Sequence, residues 1–205
     1  MTARSGQERE SGNEQEPDIF EKIFRLHEVL SDADIPHAFG GALAADYYRI
    51  PRGTIDIDLA LFVPPSERER VLPVLERLFP MADAAGINKQ IVERDQAVTQ
   101  WGDTRIDLFF SVGAFHRSVA SRIVEKDSPH GKIPILSAED IIVFKALFDR
   151  SQDWADIEAI CELQDSKLDR KYVTAWLKVA VGADDHRLTR FQNLGSAPSS
   201  EIRES

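Results

Sequence analysis

The sequence predicts an α+β domain in which a mixed β-sheet is flanked by helices and followed by a helical C-terminal part. The alternation of apolar and polar residues that is typical of strands lies before residue 137, where it is interleaved with helical patterns. After residue 137 the apolar residues recur at helical spacing. This order of elements favours a mixed sheet over a doubly wound parallel one.

The composition divides the 205 residues into four regions. Residues 1–16 hold no aromatic and almost no aliphatic side chains, so too little apolar surface is available to offset the entropy lost on ordering. We therefore expect a disordered N-terminal arm there. Residues 17–136 are expected to form the α/β core and residues 137–191 a helical C-terminal subdomain. Residues 192–205, which contain a run of small and turn-forming residues, are expected to form a disordered tail.

The first elements are a helix, a strand and a second helix. Asp18 can cap a helix whose apolar residues recur at helical spacing and which ends before Pro36. The short stretch 37–39 is predicted to be a strand that stops at a glycine pair, and residues 42–48 are predicted to form a short helix.

Three further strands are predicted in the core. Residues 55–63 have Ile, Leu or Val at every second position, with Asp56, Asp58, Ala60 and Phe62 between them on the other face, which makes this the clearest strand in the sequence. Residues 97–101 and 105–110 form a hairpin-like pair around a Gly-Asp turn.

The remaining predicted elements are helices with recognisable start signals. Ser66, with Glu69 three residues later, predicts a capping box and a helix that ends near Pro80. Ser137 and Asp140 predict a second capping box. Helical patterns then cover residues 137–148, 154–163 and 171–181.

The charge balance and the cysteine count restrict the class of protein. The chain carries 25 Lys and Arg against 35 Asp and Glu, a formal net charge of −10, which disfavours strong nonspecific binding to nucleic acid. No apolar run approaches the roughly 20 residues of a membrane-spanning helix. The single cysteine, Cys161, cannot form an internal disulfide, and the N-terminus lacks the features of a signal peptide. We therefore expect a cytoplasmic protein without a membrane partner, and the scattered histidines argue against zinc.

Three acidic residues form the strongest functional pattern. Asp56 and Asp58 lie two residues apart on a predicted strand, so their carboxylates point to the same face of the sheet. Asp107 is oriented in the same way on a later strand, and the three converge if the two strands are neighbours. Such carboxylates repel one another unless a cation lies between them, and hard oxygen ligands suit Mg²⁺. The alternative is that Asp56 and Asp58 are the solvent-facing half of an edge strand.

A glycine pair and a basic loop precede the acids. Gly40 and Gly41 lie at the predicted junction of a strand and a helix, where a phosphate could approach backbone N–H groups. The alternative is that they form only a turn. The segment from Arg49 to Thr54 includes Arg52 and could place a cation and a hydroxyl beside a metal, or its arginines could be solvated surface residues.

Together these motifs resemble the DNA polymerase β-type nucleotidyltransferase superfamily. The matching residues are Gly40-Gly41, the run Arg52-Gly-Thr-Ile-Asp-Ile-Asp58 and the run Arg105-Ile-Asp-Leu-Phe109. The Arg-x-Thr-x-Asp-x-Asp form, with the later segments 135–145 and 150–157, is similar to the nucleotidyltransferase toxins of abortive-infection and toxin–antitoxin systems. The likeness spans roughly residues 35 to 163.

The resemblance implies an enzyme that transfers a nucleoside monophosphate from an NTP to an acceptor hydroxyl and releases pyrophosphate. By this analogy Asp56, Asp58 and Asp107 bind two Mg²⁺ ions, and Asp107 also helps to deprotonate the acceptor.

The expected nucleotide-binding residues are Gly40, Gly41, Arg52, Thr54, Lys145 and Asp153. By the resemblance, Lys145 matches a family lysine that contacts phosphates, and Asp153 matches the acid of an Arg-x-x-Asp segment. From the residues alone, Lys145 could equally be a surface lysine, and Asp153 could be the N-cap of a helix. Ala42 stands where many relatives have Ser or Thr, so a hydroxyl contact to the triphosphate is missing or supplied elsewhere.

The favoured hypothesis is a Mg²⁺-dependent nucleotidyltransferase of the toxin type, for which the resemblance implies RNA such as tRNA as acceptor and a cognate antitoxin as partner. Because the chain is acidic, a small hydroxylated acceptor, as in antibiotic-modifying relatives, is the close competitor. A third hypothesis is a catalytically silent domain that binds a nucleotide or a protein partner. The presence of all three acids argues against it.

Overall fold

The fold is built on a mixed sheet that carries the acidic pair near its centre. The computed structural model describes residues 16–194, and within this range the sheet has six strands in the order β3-β4-β2-β1-β6-β5. The strands are β1 His37–Phe39, β2 Asp56–Leu61, β3 Gln96–Trp101, β4 Thr104–Phe110, β5 Val124–Ser128 and β6 Gly131–Ile135. The pairs β2/β4 and β1/β6 are parallel and the other neighbouring pairs are antiparallel, so the sheet is mixed, as predicted.

Helices flank the sheet and make up the C-terminal part. They are α1 Ile19–Asp32, α2 Gly41–Ala45, α3 Arg68–Leu75, α4 Ala84–Arg94, α5 Gly113–Ala120, α6 Ala138–Phe148, α7 Ser151–Gln164, α8 Arg170–Val181 and α9 His186–Asn193. Helix α1 packs against α3 and β6, while α6 packs against α2, α7 and α8. In the described part of the chain, no helix has the length and apolar character needed to cross a bilayer.

Strand β2 occupies a central position, which decides between two interpretations of its acids. It lies between β4 and β1, and its residues Ile57 and Leu59 are fully buried in the core. Asp56 and Asp58 point to the opposite face and are half-buried. The alternative that they belong to an edge strand is therefore wrong.

Two of the predicted helix caps form and one does not. The Asp18 and Ser137 side chains accept hydrogen bonds from backbone N–H groups in the first turns of α1 and α6. Ser66 caps no helix, because Pro65–Glu67 forms a short 3-10 turn and α3 begins at Arg68 without a side-chain cap. Proline suits the first position of such a turn, since its φ is already helical and its missing N–H is not needed there.

Several predicted bounds were too generous, and some elements were not predicted. Strand β2 is shorter than residues 55–63, and Ile55 is 80% exposed. The helix predicted over residues 42–48 is α2, which ends at Ala45 and continues as a turn. Helices α4, α5 and α9 and the β5–β6 hairpin were absent from the prediction. Strand β5 is an edge strand with an exposed face and a charged sequence, so apolar alternation is weak there.

The predicted disordered ends need correction at their inner boundaries. Residues 192 and 193 belong to α9, whose Leu188 and Phe191 are buried, so the tail does not begin at residue 192. The carboxylate of Glu16, which was assigned to the arm, pairs with the buried Lys22 and accepts the Asp103 N–H at 3.2 Å. A buried ammonium group requires such a partner. Residues 1–15 and 195–205 lie outside the described residues.

Candidate active site

The acidic residues meet on one face of the parallel pair β2/β4. Asp58 lies directly opposite Asp107 in the strand register, and Asp56 lies opposite Arg105. Because side chains at alternate positions of a strand share a face, all four side chains project from the same side of the sheet. The burial pattern agrees, since Ile57 and its neighbours on β4 are buried on the other side.

The glycine pair packs directly against Asp58. The Gly40 N–H donates to the Asp58 carbonyl oxygen at 2.8 Å, which joins the end of β1 to β2. Gly41 has a φ of +57°, and a Cβ on this residue would lie 1.7 Å from Asp58 Oδ2. Only glycine can adopt this backbone conformation at so short a distance. The pair therefore does more than form a turn, because it leaves room for the Asp58 carboxylate.

Burial and neighbouring negative charges raise the pKa of the Asp58 carboxyl group and so favour its protonated form. Its pKa is raised to about 6, first by burial, then by the charge of Asp107 and, to a smaller extent, that of Asp56. The nearby cations Lys145 and Arg150 oppose this shift and lower the pKa. A further positive charge at this point would favour the ionised carboxylate.

Arg105 holds the third acid. Its Nε donates to Asp107 Oδ2 at 2.8 Å and its Nη2 donates to Oδ1 at 2.7 Å, a bidentate ion pair within one strand. The pKa of the Arg105 guanidinium is raised, mainly by this hydrogen-bonded contact with Asp107 and further by the charges of Asp56 and Asp58. Both oxygens of Asp107 are thus already occupied by a protein cation.

The three carboxylates are chemically suitable ligands for Mg²⁺. Their oxygen atoms, however, do not converge on one position where a metal ion could bind all of them. Three carboxylates on one sheet face are the hard oxygen ligands that Mg²⁺ prefers, and the raised pKa of Asp58 is the effect expected where like charges lie close together in a buried place. Within residues 16–194, however, no group of three or more His, Cys, Asp or Glu residues is arranged to hold a metal ion. The Arg105–Asp107 pair gives a physical reason for the difference, since it turns Asp107 towards a guanidinium.

Lys145 is buried in an ion-pair cluster between α6 and α7. It is 7% exposed, and its Nζ lies 2.7 Å from Asp156 Oδ2 and 3.4 Å from Asp153 Oδ1. The alternative of a plain surface lysine is therefore wrong. Asp153 is also not the N-cap of α7, because that position is held by Arg150, whose Nε donates to Asp153 Oδ2 at 2.6 Å.

The basic loop before β2 is joined to the same cluster. Arg52, which is half-exposed, lies with Nη2 3.3 Å from Asp156 Oδ2, and the buried Arg49 lies with Nε 3.2 Å from Asp156 Oδ1. Neither arginine is merely solvated. Thr54 has a local role: its hydroxyl donates to the Asp56 carbonyl at 3.0 Å and accepts the Asp56 N–H at 3.2 Å. A cavity of about 280 Å³ opens beside this loop and α7.

Two residues important to this geometry were not among the predicted site residues. Asp156 is the common partner of Lys145, Arg49 and Arg52. Its spacing from Asp153, three residues on one helix, was the sequence signal that placed both on one face of α7. The sequence signal for Arg105 was weaker: it is a charged residue two positions before Asp107 on the same predicted strand, so the two side chains share a face.

Comparisons with known proteins show similarity in structure. No protein-family model matches the chain, and no curated protein matches it in sequence. A crystal structure of ANT(2'')-Ia in complex with adenylyl-2''-tobramycin matches with a TM-score of 0.56 and 15% identity, covering 85% of this chain and 97% of that chain. A solution structure of the antibiotic-resistance factor ANT(2'')-Ia matches with a TM-score of 0.53 and 15% identity, covering 86% and 95%. The chain therefore has the nucleotidyltransferase fold.

Proposed function

We propose that the protein is a Mg²⁺-dependent nucleotidyltransferase that transfers a nucleoside monophosphate from an NTP to an acceptor hydroxyl. The observation that carries this proposal is the register of β2 and β4, which sets Asp58 opposite Asp107 beside Asp56, with Gly41 packed against Asp58. The nucleotidyltransferase fold supports the same reaction class.

The proposed reaction makes one bond and breaks another. The acceptor oxygen attacks the α-phosphorus of the NTP, the bond from that phosphorus to the bridging oxygen breaks, and pyrophosphate leaves. Asp56, Asp58 and Asp107 would hold Mg²⁺, which when bound neutralises charge on the phosphates and on the attacking oxygen. By the resemblance, Asp107, on the same sheet face as Asp56 and Asp58, is our choice to accept the hydroxyl proton.

The remaining predicted residues divide into those that can contact the nucleotide and those that support the site. By the resemblance, Gly40 and Gly41 are assigned to the triphosphate; they lie where β1 meets α2, and Gly41 is partly exposed whereas Gly40 is buried. The half-exposed Arg52 can reach a phosphate. Lys145, already paired with Asp153 and Asp156, would act as a fixed positive charge behind Asp58.

For the acceptor, we favour a small hydroxylated molecule. A net charge of −10 opposes a long phosphate-contacting surface and attracts a cationic acceptor. ANT(2'')-Ia, which shares the fold, has been crystallised with adenylyl-2''-tobramycin. The second candidate is RNA, with a cognate antitoxin as partner, and it rests on the Arg-x-Thr-x-Asp-x-Asp likeness to toxin-type enzymes.

The proposal is tested by incubating the purified protein with Mg²⁺, each α-labelled NTP, and either tobramycin or a tRNA pool. We expect label transfer that is abolished by EDTA. Asp58→Asn and Asp107→Asn should each lower the rate by on the order of 10²-fold or more, because several kcal/mol of charge stabilisation are lost and each 1.36 kcal/mol is tenfold. Asp103→Asn, the same change at the exposed β3–β4 turn, should leave the rate unchanged.

The acceptor and the silent-domain hypothesis have separate outcomes. Transfer of label to tRNA, together with a tRNA-binding affinity that falls steeply as the salt concentration rises, would support RNA as the acceptor. Neither transfer nor metal-dependent NTP binding by the wild-type protein would contradict the enzyme proposal and favour a silent domain.

A further inference from the structure

Arg105 occupies the position from which a cation would neutralise the acidic face. It lies on β4 directly opposite Asp56, two residues before Asp107 and on the same side of the sheet. Its guanidinium makes two hydrogen bonds with Asp107, at 2.8 and 2.7 Å. The hydrogen-bonded contact with Asp107 raises the pKa of Arg105 most, and the charges of Asp107, Asp56 and Asp58 raise it further, in agreement with its place on the same sheet face.

This contact opposes the use of Asp107 as a metal ligand, because it takes one lone pair of each carboxylate oxygen and places a positive charge beside them. A bidentate guanidinium–carboxylate pair uses both carboxylate oxygens in the plane of the fork. A divalent ion at Asp58 and Asp107 would therefore compete with Arg105 for the same oxygens and would be repelled by its charge.

The Arg105 guanidinium can also move away from Asp107 into solvent. Its side chain is 52% exposed, whereas that of Asp107 is 19% exposed, so the guanidinium lies on the solvent side of the pair. The other cations that act on Asp58 are engaged elsewhere: Lys145 with Asp153 and Asp156, and Arg150 with Asp153. Once displaced, the guanidinium needs an anionic partner on the same face, and its fork matches a phosphate as well as a carboxylate.

We propose that Arg105 is the resident counter-ion of the acidic site: it competes with divalent metal for Asp107 in the free protein and transfers to a phosphate of the nucleotide when the metal binds. This inference rests on the proposed function. Metal alone binds weakly, whereas metal and nucleotide together bind well, because the nucleotide supplies the partner that Arg105 loses.

The test measures binding of Mn²⁺ by calorimetry, with and without α,β-methylene-ATP, to the full-length protein. Without nucleotide, Arg105→Gln should bind Mn²⁺ about fivefold to tenfold more tightly than wild type, because a partly exposed competing charge is removed. At saturating Mn²⁺ the same variant should bind the nucleotide analogue several-fold more weakly. Arg105→Lys, which keeps the charge but not the fork, should lie between the two proteins.

The control is Arg94→Gln, which removes one positive charge from an exposed residue at the end of α4. It should bind both Mn²⁺ and the analogue as wild type does, so a gain shared with Arg105→Gln would overturn the proposal and point to net charge. Unchanged or weaker Mn²⁺ binding by Arg105→Gln, with wild type still binding metal and nucleotide together, would overturn the inference and leave the proposed function standing. No metal binding by wild type even with nucleotide would overturn both.

Discussion

At the scale of single residues, Gly41 is required at its position for two separate reasons. Its φ of +57° is unfavourable for a residue with a Cβ, and a Cβ there would collide with Asp58 at 1.7 Å. The same Cβ would lie 2.4 Å from Asp58 Cγ and 3.0 Å from Asp58 Cβ, and the Asp58 Cβ is fixed by the β2 backbone, so rotation of the carboxylate alone does not relieve the contact. Gly41 therefore couples the shape of the glycine turn to the position of a proposed metal ligand.

Gly41→Ala should destabilise the protein and remove transfer activity. The matched control is Gly113→Ala, because Gly113 has a similar φ of +74° but open space around its Cβ position. The backbone cost alone is about 1–2 kcal/mol, and this is the loss expected for Gly113→Ala. Urea unfolding should show a larger loss for Gly41→Ala, and label transfer should survive only in Gly113→Ala. Equal losses of stability with retained transfer would contradict the close contact.

The sequence predicts the common face of the three carboxylates, but it does not predict the ion pairs around them. Strand parity fixes the face on which a side chain lies, so the common face of Asp56, Asp58 and Asp107 followed from spacing once β2 and β4 were neighbours. The partners of Arg105 and Lys145 did not follow, because ion pairs depend on rotamers and on contacts between distant elements. This is also why Asp156 was not among the predicted site residues.

At the scale of elements, Asp156 joins three segments that are far apart in sequence. From α7 it contacts Lys145 on α6 and both Arg49 and Arg52 in the loop before β2. The Asp156 carboxylate is 2% exposed, and these cations lower its pKa although its burial opposes the shift. The cluster therefore holds the basic loop against the C-terminal helices.

Asp156→Asn should lower the free energy of unfolding by about 2 kcal/mol, because the buried Lys145 and Arg49 each lose one of two carboxylate partners and keep only Asp153 and Asp46. It should also increase the mobility of Arg52 and raise the KM for NTP. The control on the same helix is Glu158→Gln, which breaks an exposed ion pair with Arg190 of 3.2 Å and should cost less than about 1 kcal/mol. Urea unfolding and steady-state kinetics measure the two effects. A loss no larger than that of the control would show that the cluster is not stabilising.

The elements that sequence patterns predicted are those with strong local signals. Strand β2, the β3–β4 hairpin and the capped helices α1 and α6 combine clear periodicity with a turn or cap residue. Helix α9 is mostly polar, and only Leu188 and Phe191 are buried against the rest of the fold. Its formation depends on packing against α8, which local periodicity does not reveal.

At the scale of the whole molecule, the buried His37 makes stability depend on pH. His37 on β1 is 6% exposed, and its Nδ1 lies 2.8 Å from the Ile35 carbonyl oxygen. Nδ1 must therefore be the donor, which leaves Nε2 to accept from His27 Nδ1 at 3.0 Å on α1. Burial lowers the pKa of His37 to about 4, so the fold requires the neutral imidazole.

Acidification should therefore destabilise the protein through His37. The unfolded chain binds this proton near pH 6.5 and the folded protein only near pH 4, so the His37 contribution is fully present above pH 6.5 and is lost as pH falls towards 4. A difference of this size corresponds to about 3 kcal/mol, at 1.36 kcal/mol for each pKa unit. Asp58 acts in the opposite direction, because its pKa is raised to about 6 and its protonation favours the folded protein.

The variant His37→Asn separates the two effects, because it keeps a donor for the Ile35 carbonyl but does not titrate in this range. Asp58 is unchanged in the variant, so its contribution cancels in the difference between the two proteins. Urea unfolding from pH 7.5 to pH 4.5 should show wild type losing more stability than the variant, with the difference growing below pH 6.5. Parallel curves for the two proteins would mean that His37 is protonated in the fold and that the α1–β1 contact tolerates its charge.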